Sequence, residues 1–145
     1  MARTDTRTDP AAPFRHSLRV YWEDTDAGGV VFYANYLKFF ERARTEWLRG
    51  LGFGQQRLRT DTGAIFVVAD TSVRYLSPAR LDDLLEVTVQ PQDIGRASMV
   101  VHQQAWRNDA GTPVLLAEGS IRIGCVDAGT FTPCRIPNPI LQALR

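Results

Sequence analysis

Apolar positions along the chain recur with two different periods. The switch between them predicts the order of elements. Leu18, Val20 and Trp22 alternate with Arg19 and Tyr21, a period near two that predicts a strand over Ser17–Trp22. Further on, Tyr36, Phe40, Ala43, Trp47 and Leu51 recur at spacings of three and four, with Leu37 and Leu48 on the same broad face. That pattern predicts a helix over Ala34–Arg49, with Asn35 as the expected N-cap and Gly50 and Gly52 as its stop. Lys38, Glu41, Arg42, Thr45 and Arg49 lie elsewhere, and Glu41/Arg44 and Arg42/Glu46 are the expected surface pairs. Gln55–Gly63 is polar without an apolar period and reads as a loop or a ragged short helix. Strand-like runs follow at Ala64–Tyr75, Leu84–Gln90, Ala97–Trp106 and Val114–Val126. Breaks separate them at Ser77–Arg80, Pro91–Gly95 and Asn108–Gly111, the last read as a hairpin turn. The remainder, with Pro133, Pro137 and Pro139, reads as extended chain leading to a short terminal helix.

The order is therefore strand, helix, then about four strands joined by short turns, which implies an antiparallel sheet. The helix face, with Tyr36, Phe40 and Trp47, is bulky and needs a large concave partner that only the sheet can supply. The fold class is α+β. At 145 residues the chain reads as one domain over 14–145. Residues 1–13 read as a disordered tail without the apolar core of a signal peptide.

Composition removes some classes of function. Hydrophobic content of 44% and charged content of 23% match a soluble globular domain. A net charge of +1 gives no footprint for nucleic acid or an anionic membrane, and no apolar run is long enough to span a bilayer. Cys125 and Cys134, without a secretion signal, read as reduced thiols in a cytoplasmic protein and make a poor metal site.

The chain has no G-x-S-x-G, no Walker loop and no H-E-x-x-H. Its two histidines, His16 and His102, lie before or within strands and read as structural. Carboxylates remain. Asp24 reads as a turn cap. Asp26 precedes Ala27-Gly28-Gly29, where small residues let a substrate approach the backbone, and a helix begins a few residues on. The first N–H groups of a helix have no internal partner and carry partial positive charge. They would stabilise a carbonyl oxygen as it is attacked, while a carboxylate attacks or activates water. That arrangement fits hydrolysis of an activated acyl group such as a thioester.

The stretch EDTDAGGVV followed by NYLKFFERARTEWLR resembles the signature of hotdog-fold acyl-CoA thioesterases, the YbgC (Tol-Pal-associated) type above all. The hydroxybenzoyl-CoA thioesterases share a similar pattern. The likeness continues through FVVADTSVRYLSPARLDDLLEV. The resemblance implies one long central helix wrapped by a curved antiparallel sheet of about five strands, in a homodimer or homotetramer with active sites at the dimer interface. It implies Asp26 as base or nucleophile, the Tyr33 backbone N–H as the donor that polarises the thioester carbonyl, and Arg96 as a contact to CoA. Arg74, Arg80 and Arg135 are weaker candidates for CoA. Gly28 and Gly29 would line the substrate's approach. No metal or redox cofactor is expected, CoA being part of the substrate.

The chain departs from many YbgC-type sequences at Tyr33, where those carry His. Two other readings stay open: a hotdog hydratase, disfavoured because no His lies in the motif, and a non-catalytic scaffold that binds acyl groups or acyl carrier protein.

Overall fold

The structure is a computed structural model that describes residues 12–144. The tail expected over 1–13 thus lies, up to residue 11, outside the described residues.

Five strands form one antiparallel sheet: β1 (Phe14–Arg19), β2 (Ala64–Tyr75), β3 (Leu84–Ile94), β4 (Ser98–Asp109) and β5 (Thr112–Asp127), in spatial order β1-β3-β4-β5-β2. Helix α1 (Asn35–Gly50) follows β1 in the chain and packs against β3, β1 and β4. A shorter helix, α2 (Gln55–Thr62), leads into β2 and ends at Gly63 with a φ of +76°. The terminal helix α3 (Asn138–Leu144) buries Ile140 and Leu141. One long helix against a five-stranded antiparallel sheet is the layout that the resemblance implied.

The buried face of α1 is Tyr36, Phe39, Phe40, Ala43, Trp47 and Leu48. Phe39, absent from the expected face, is fully buried, whereas Leu37 and Leu51 are 43% and 38% exposed. The sheet therefore grips a narrower stripe, rotated toward Phe39. Trp22 is not in a strand: β1 ends at Arg19, and Trp22–Asp24 form a single 3-10 turn that leaves Trp22 79% exposed. Pro91 does not end β3, which runs on to Ile94 through a register shift between Pro91 and Asp93. The pairing of β1 with β3 stops at Phe14↔Val89, so Pro91 faces no described strand on that side and its missing N–H costs no ladder bond.

Two polar side chains of the strands, Thr88 and Gln103, are buried in the core without having been flagged by sequence patterning. Gln103, on β4, is fully buried; its Nε2 donates to the carbonyls of Phe40 (3.0 Å) and Thr88 (3.2 Å), and its Oε1 accepts from Arg44 (3.0 Å). Arg44 therefore turns inward instead of pairing with Glu41, and burial lowers its pKa. Glu41 accepts from Thr45 (2.6 Å), and Glu46 pairs with Arg49 rather than Arg42.

Candidate active site

The connection between β1 and α1 is fixed at both ends by the buried Asp24. Its Oδ2 accepts the Tyr21 N–H (2.9 Å), its Oδ1 accepts Asn35 Nδ2 (2.7 Å), and its carbonyl accepts the Phe32 N–H (3.0 Å). Asp24 is 3% exposed, and three donors meet the demands that burial places on it. Asn35 is thus not the N-cap. It is the first residue of α1, preceded by Ala34 without a side-chain cap, and its amide is spent on Asp24.

Between these anchors a small hairpin projects, opening with the bridge Thr25↔Val31. Asp26 N–H donates to the Val30 carbonyl (2.9 Å), and Gly29 N–H returns to the Asp26 carbonyl (3.0 Å). Gly29 has a φ of +81°, a conformation that a side chain would strain. Asp26 Oδ1 accepts the Gly28 N–H (2.8 Å), and a Cβ at Gly28 would stand only 3.2 Å from that oxygen. The two glycines therefore shape the hairpin that carries Asp26, apart from any part in admitting substrate. Asp26 is exposed, and its second oxygen accepts no hydrogen bond among the described residues. A bridge from Val30 to Arg80, with Val31 N–H on the Ala79 carbonyl (2.8 Å), braces the hairpin against the turn before β3. That turn is built by Asp82, at a φ of +73°, and by Asp83, whose Oδ2 accepts the Arg80 N–H (2.8 Å).

Tyr33 lies just before α1. The Asn35 N–H is taken by the Phe32 carbonyl (2.8 Å) and the Leu37 N–H by the Ala34 carbonyl (3.1 Å), but the Tyr33 N–H has no acceptor among the described residues. It is an unspent donor at the positive end of a sixteen-residue helix. The Tyr33 ring, 64% exposed, lies 4.9 Å from the Phe32 ring and edge-on to Tyr75 at 6.1 Å. Tyr75, at the end of β2, reaches Tyr36 at 5.5 Å, and the Tyr36 hydroxyl accepts the Ala79 N–H (3.2 Å). Burial raises the pKa of Tyr36, as it does that of Tyr75, where the neighbouring Tyr33 adds to the rise. Both phenols are protonated at neutral pH and form an aromatic wall. Sequence reading passed over Tyr75 because nothing local tells a strand-end Tyr from any other; only the sheet brings it to the helix start.

Asp26, Gly28, Gly29 and the Tyr33 N–H are thus gathered in one loop and helix start. Arg96 is not with them. It sits exposed in the turn joining β3 to β4, whereas the hairpin is braced near the other end of β3. Eleven residues of strand separate these ends, roughly 30 Å at ~3.3 Å per residue. Arg74 faces Glu118 (3.5 Å), as does His102 (3.5 Å). Among the described residues, no group of three or more His, Cys, Asp or Glu side chains is placed to hold a metal ion.

Residues 28–114 match the thioesterase superfamily. The chain belongs to that superfamily, and its reaction class is thioester hydrolysis. Within it, the chain is 42% identical over 130 residues to the acyl-CoA thioesterase YbgC of Haemophilus influenzae, covering 90% of this chain and 93% of that one. It is 44% identical over 132 residues to the acyl-CoA thioester hydrolase YbgC of Escherichia coli, covering 91% and 96%. Among solved structures, a probable thioesterase from Bartonella henselae superposes with a TM-score of 0.80 at 30% identity, covering 87% of this chain and all of that one.

Proposed function

We propose that the chain hydrolyses acyl-CoA thioesters, with short-chain or aroyl groups as the acyl part, using Asp26 and the Tyr33 backbone N–H. One observation carries the reading. The Asp24–Asn35 hydrogen bond joins the base of the Asp26 hairpin to the start of α1, so a carboxylate oxygen and an unspent helix N–H are held in one unit. The thioester carbonyl oxygen accepts the Tyr33 N–H, which gains strength as negative charge builds on that oxygen. The free Asp26 oxygen then attacks the carbonyl carbon or takes a proton from a water that does so. The C–S bond breaks and CoA leaves as a thiolate, which picks up a proton. If Asp26 itself attacks, water cleaves the resulting anhydride and restores the carboxylate. Gly28 and Gly29 keep the approach free of side chains.

The acidic acyl-CoA phosphates call for cations, and Arg96 fills that role in this reading, with Arg135 beside it in the fold. Because Arg96 and Asp26 are far apart within a chain, the two belong to one site only if they come from different copies. The proposed unit is a homodimer in which β2, an edge strand, pairs with its counterpart; a homotetramer is two such dimers. Likeness to YbgC-type enzymes extends the proposal to a cytoplasmic protein that can take thioesters from acyl carrier protein and works near the Tol-Pal machinery. Among the described residues no helix is long and apolar enough to cross a membrane.

Thiol release measured across a panel of short-chain, long-chain and aroyl-CoA esters tests the reading. Asp26→Asn should lower kcat by about 100-fold or more, with unchanged circular dichroism and Tm. Near-full activity in that variant would remove Asp26 from the mechanism. Tight binding of every ester without turnover by the unaltered protein would make it a scaffold.

A further inference from the structure

The only two cysteines of the chain lie away from Asp26 and Tyr33 and face each other. Cys125, on β5, is 1% exposed; Cys134 is partly exposed on the extended segment that follows β5. The bridge Val126↔Pro133 and the hydrogen bond from Cys134 N–H to the Cys125 carbonyl (2.9 Å) set them opposite one another. Their Sγ atoms are 3.6 Å apart, and both are free thiols. Bond formation requires the sulfurs to close by about 1.5 Å.

Two arginines neighbour Cys134, one in the chain and one in the fold. Arg135 follows it and is exposed; Ile136 N–H donates to the Arg96 carbonyl (2.7 Å), which brings the Arg96 turn alongside. The nearest carboxylate along β5, Asp127, is occupied by the N–H groups of Gly129 (2.8 Å) and Thr130 (3.0 Å).

We propose that Cys134 and Cys125 form a thiol–disulfide exchange site that accepts anionic low-molecular-weight disulfides and closes to an internal disulfide. The Cys134 thiolate, the accessible one, attacks a sulfur of the incoming disulfide RSSR. The S–S bond breaks, one RS⁻ leaves and is protonated, and a mixed disulfide remains on Cys134. The Cys125 thiol then attacks Cys134 Sγ and expels the second RS⁻, which takes up the Cys125 proton as it leaves. Two protein thiols are oxidised and one RSSR is reduced to two RSH. The order follows from access: burial, with the adjacent Cys134 thiol, pushes Cys125 up to about 12, so it stays a thiol while Cys134 reacts with solvent species. The bond would join β5 to the segment whose Ile136, Ile140 and Leu141 are packed into the core.

The test uses the full reduced chain with glutathione disulfide, which is anionic, and hydroxyethyl disulfide, which is neutral. The expected result is loss of the mass of two hydrogen atoms without an adduct, and loss of both titratable thiols. Glutathione disulfide should react severalfold faster at low salt, and the advantage should shrink as salt rises. Cys125→Ala should accumulate one glutathione adduct at Cys134, and Cys134→Ser should not react. The proposal is overturned by retention of both thiols under conditions that oxidise dithiothreitol, by an adduct that persists in the unaltered chain, or by equal rates with the two disulfides. The unaltered protein supplies these readouts even if a variant fails to fold.

Discussion

Asp24 and Asp26 stand two positions apart and live in different environments. Asp24 is buried and fully bonded; Asp26 is exposed and half free. Replacing Asp24 by Ala strips acceptors from the Tyr21 N–H and from the buried Asn35 amide, and orphaning the buried amide costs about 1–3 kcal/mol. Asp24→Ala should therefore show a lower urea midpoint, and kcat should fall as the hairpin loses its tie to α1. Unchanged kcat in the folded variant would make Asp24 a stability residue only. Tyr33→Pro removes the Tyr33 N–H together with the ring and should reduce kcat by about 100-fold. Tyr33→Phe keeps the N–H and should stay within a few-fold of the parent. The same logic covers the departure from YbgC-type sequences: Tyr33→His should preserve turnover and alter acyl preference, because only the ring shapes the pocket. In the sequence, the placement of Asp26 beside its glycines and ahead of the coming helix was legible. The role of Asn35 was not: local rules assign an Asn before an apolar run to capping, and the carboxylate that claims it lies eleven residues upstream.

Element boundaries divide the same way. The strands after α2 were legible because apolar period and turn residues agreed, and the hairpin at Asn108–Gly111 is a two-residue turn flanked by the pair Asp109↔Thr112. Inside it Ala110 has a φ of +51° and Gly111 of +88°. Glycine adopts that conformation freely and alanine only at a cost, so Ala110→Asn, which supplies the favoured Asn-Gly pair, should stabilise the protein by about 0.5–1 kcal/mol. Thermal unfolding checks this, and a lower Tm would show that the alanine is not strained. The helix stripe and the length of β3 were less legible. Whether Phe39 or Leu37 faces inward depends on how the sheet meets the helix, and whether Pro91 ends a strand depends on where β1 stops pairing, neither of which a local window contains.

At the scale of the molecule, β2 raises the remaining question. It is an edge strand of twelve residues paired on one side to β5, and it leaves Val68 and Tyr75 49% and 45% exposed. Long, apolar edges invite pairing with another strand, and the proposed dimer covers this one with a second β2. Val68→Lys places a charge on that edge and should shift the sedimenting species to monomer, with loss of thiol release. The dimer makes a sharper claim: Asp26 and Arg96 of one site come from different copies. Asp26→Asn and Arg96→Ala chains, each weakly active at low acyl-CoA, would then complement when unfolded and refolded together. A mixed dimer has one site with both changes and one with neither. Random mixing makes half of the dimers mixed, so activity should recover to about a quarter of the parent value, well above the sum of the separate variants. Activity no higher than that sum, with mixed dimers confirmed by native mass spectrometry, would place the two residues in separate functions.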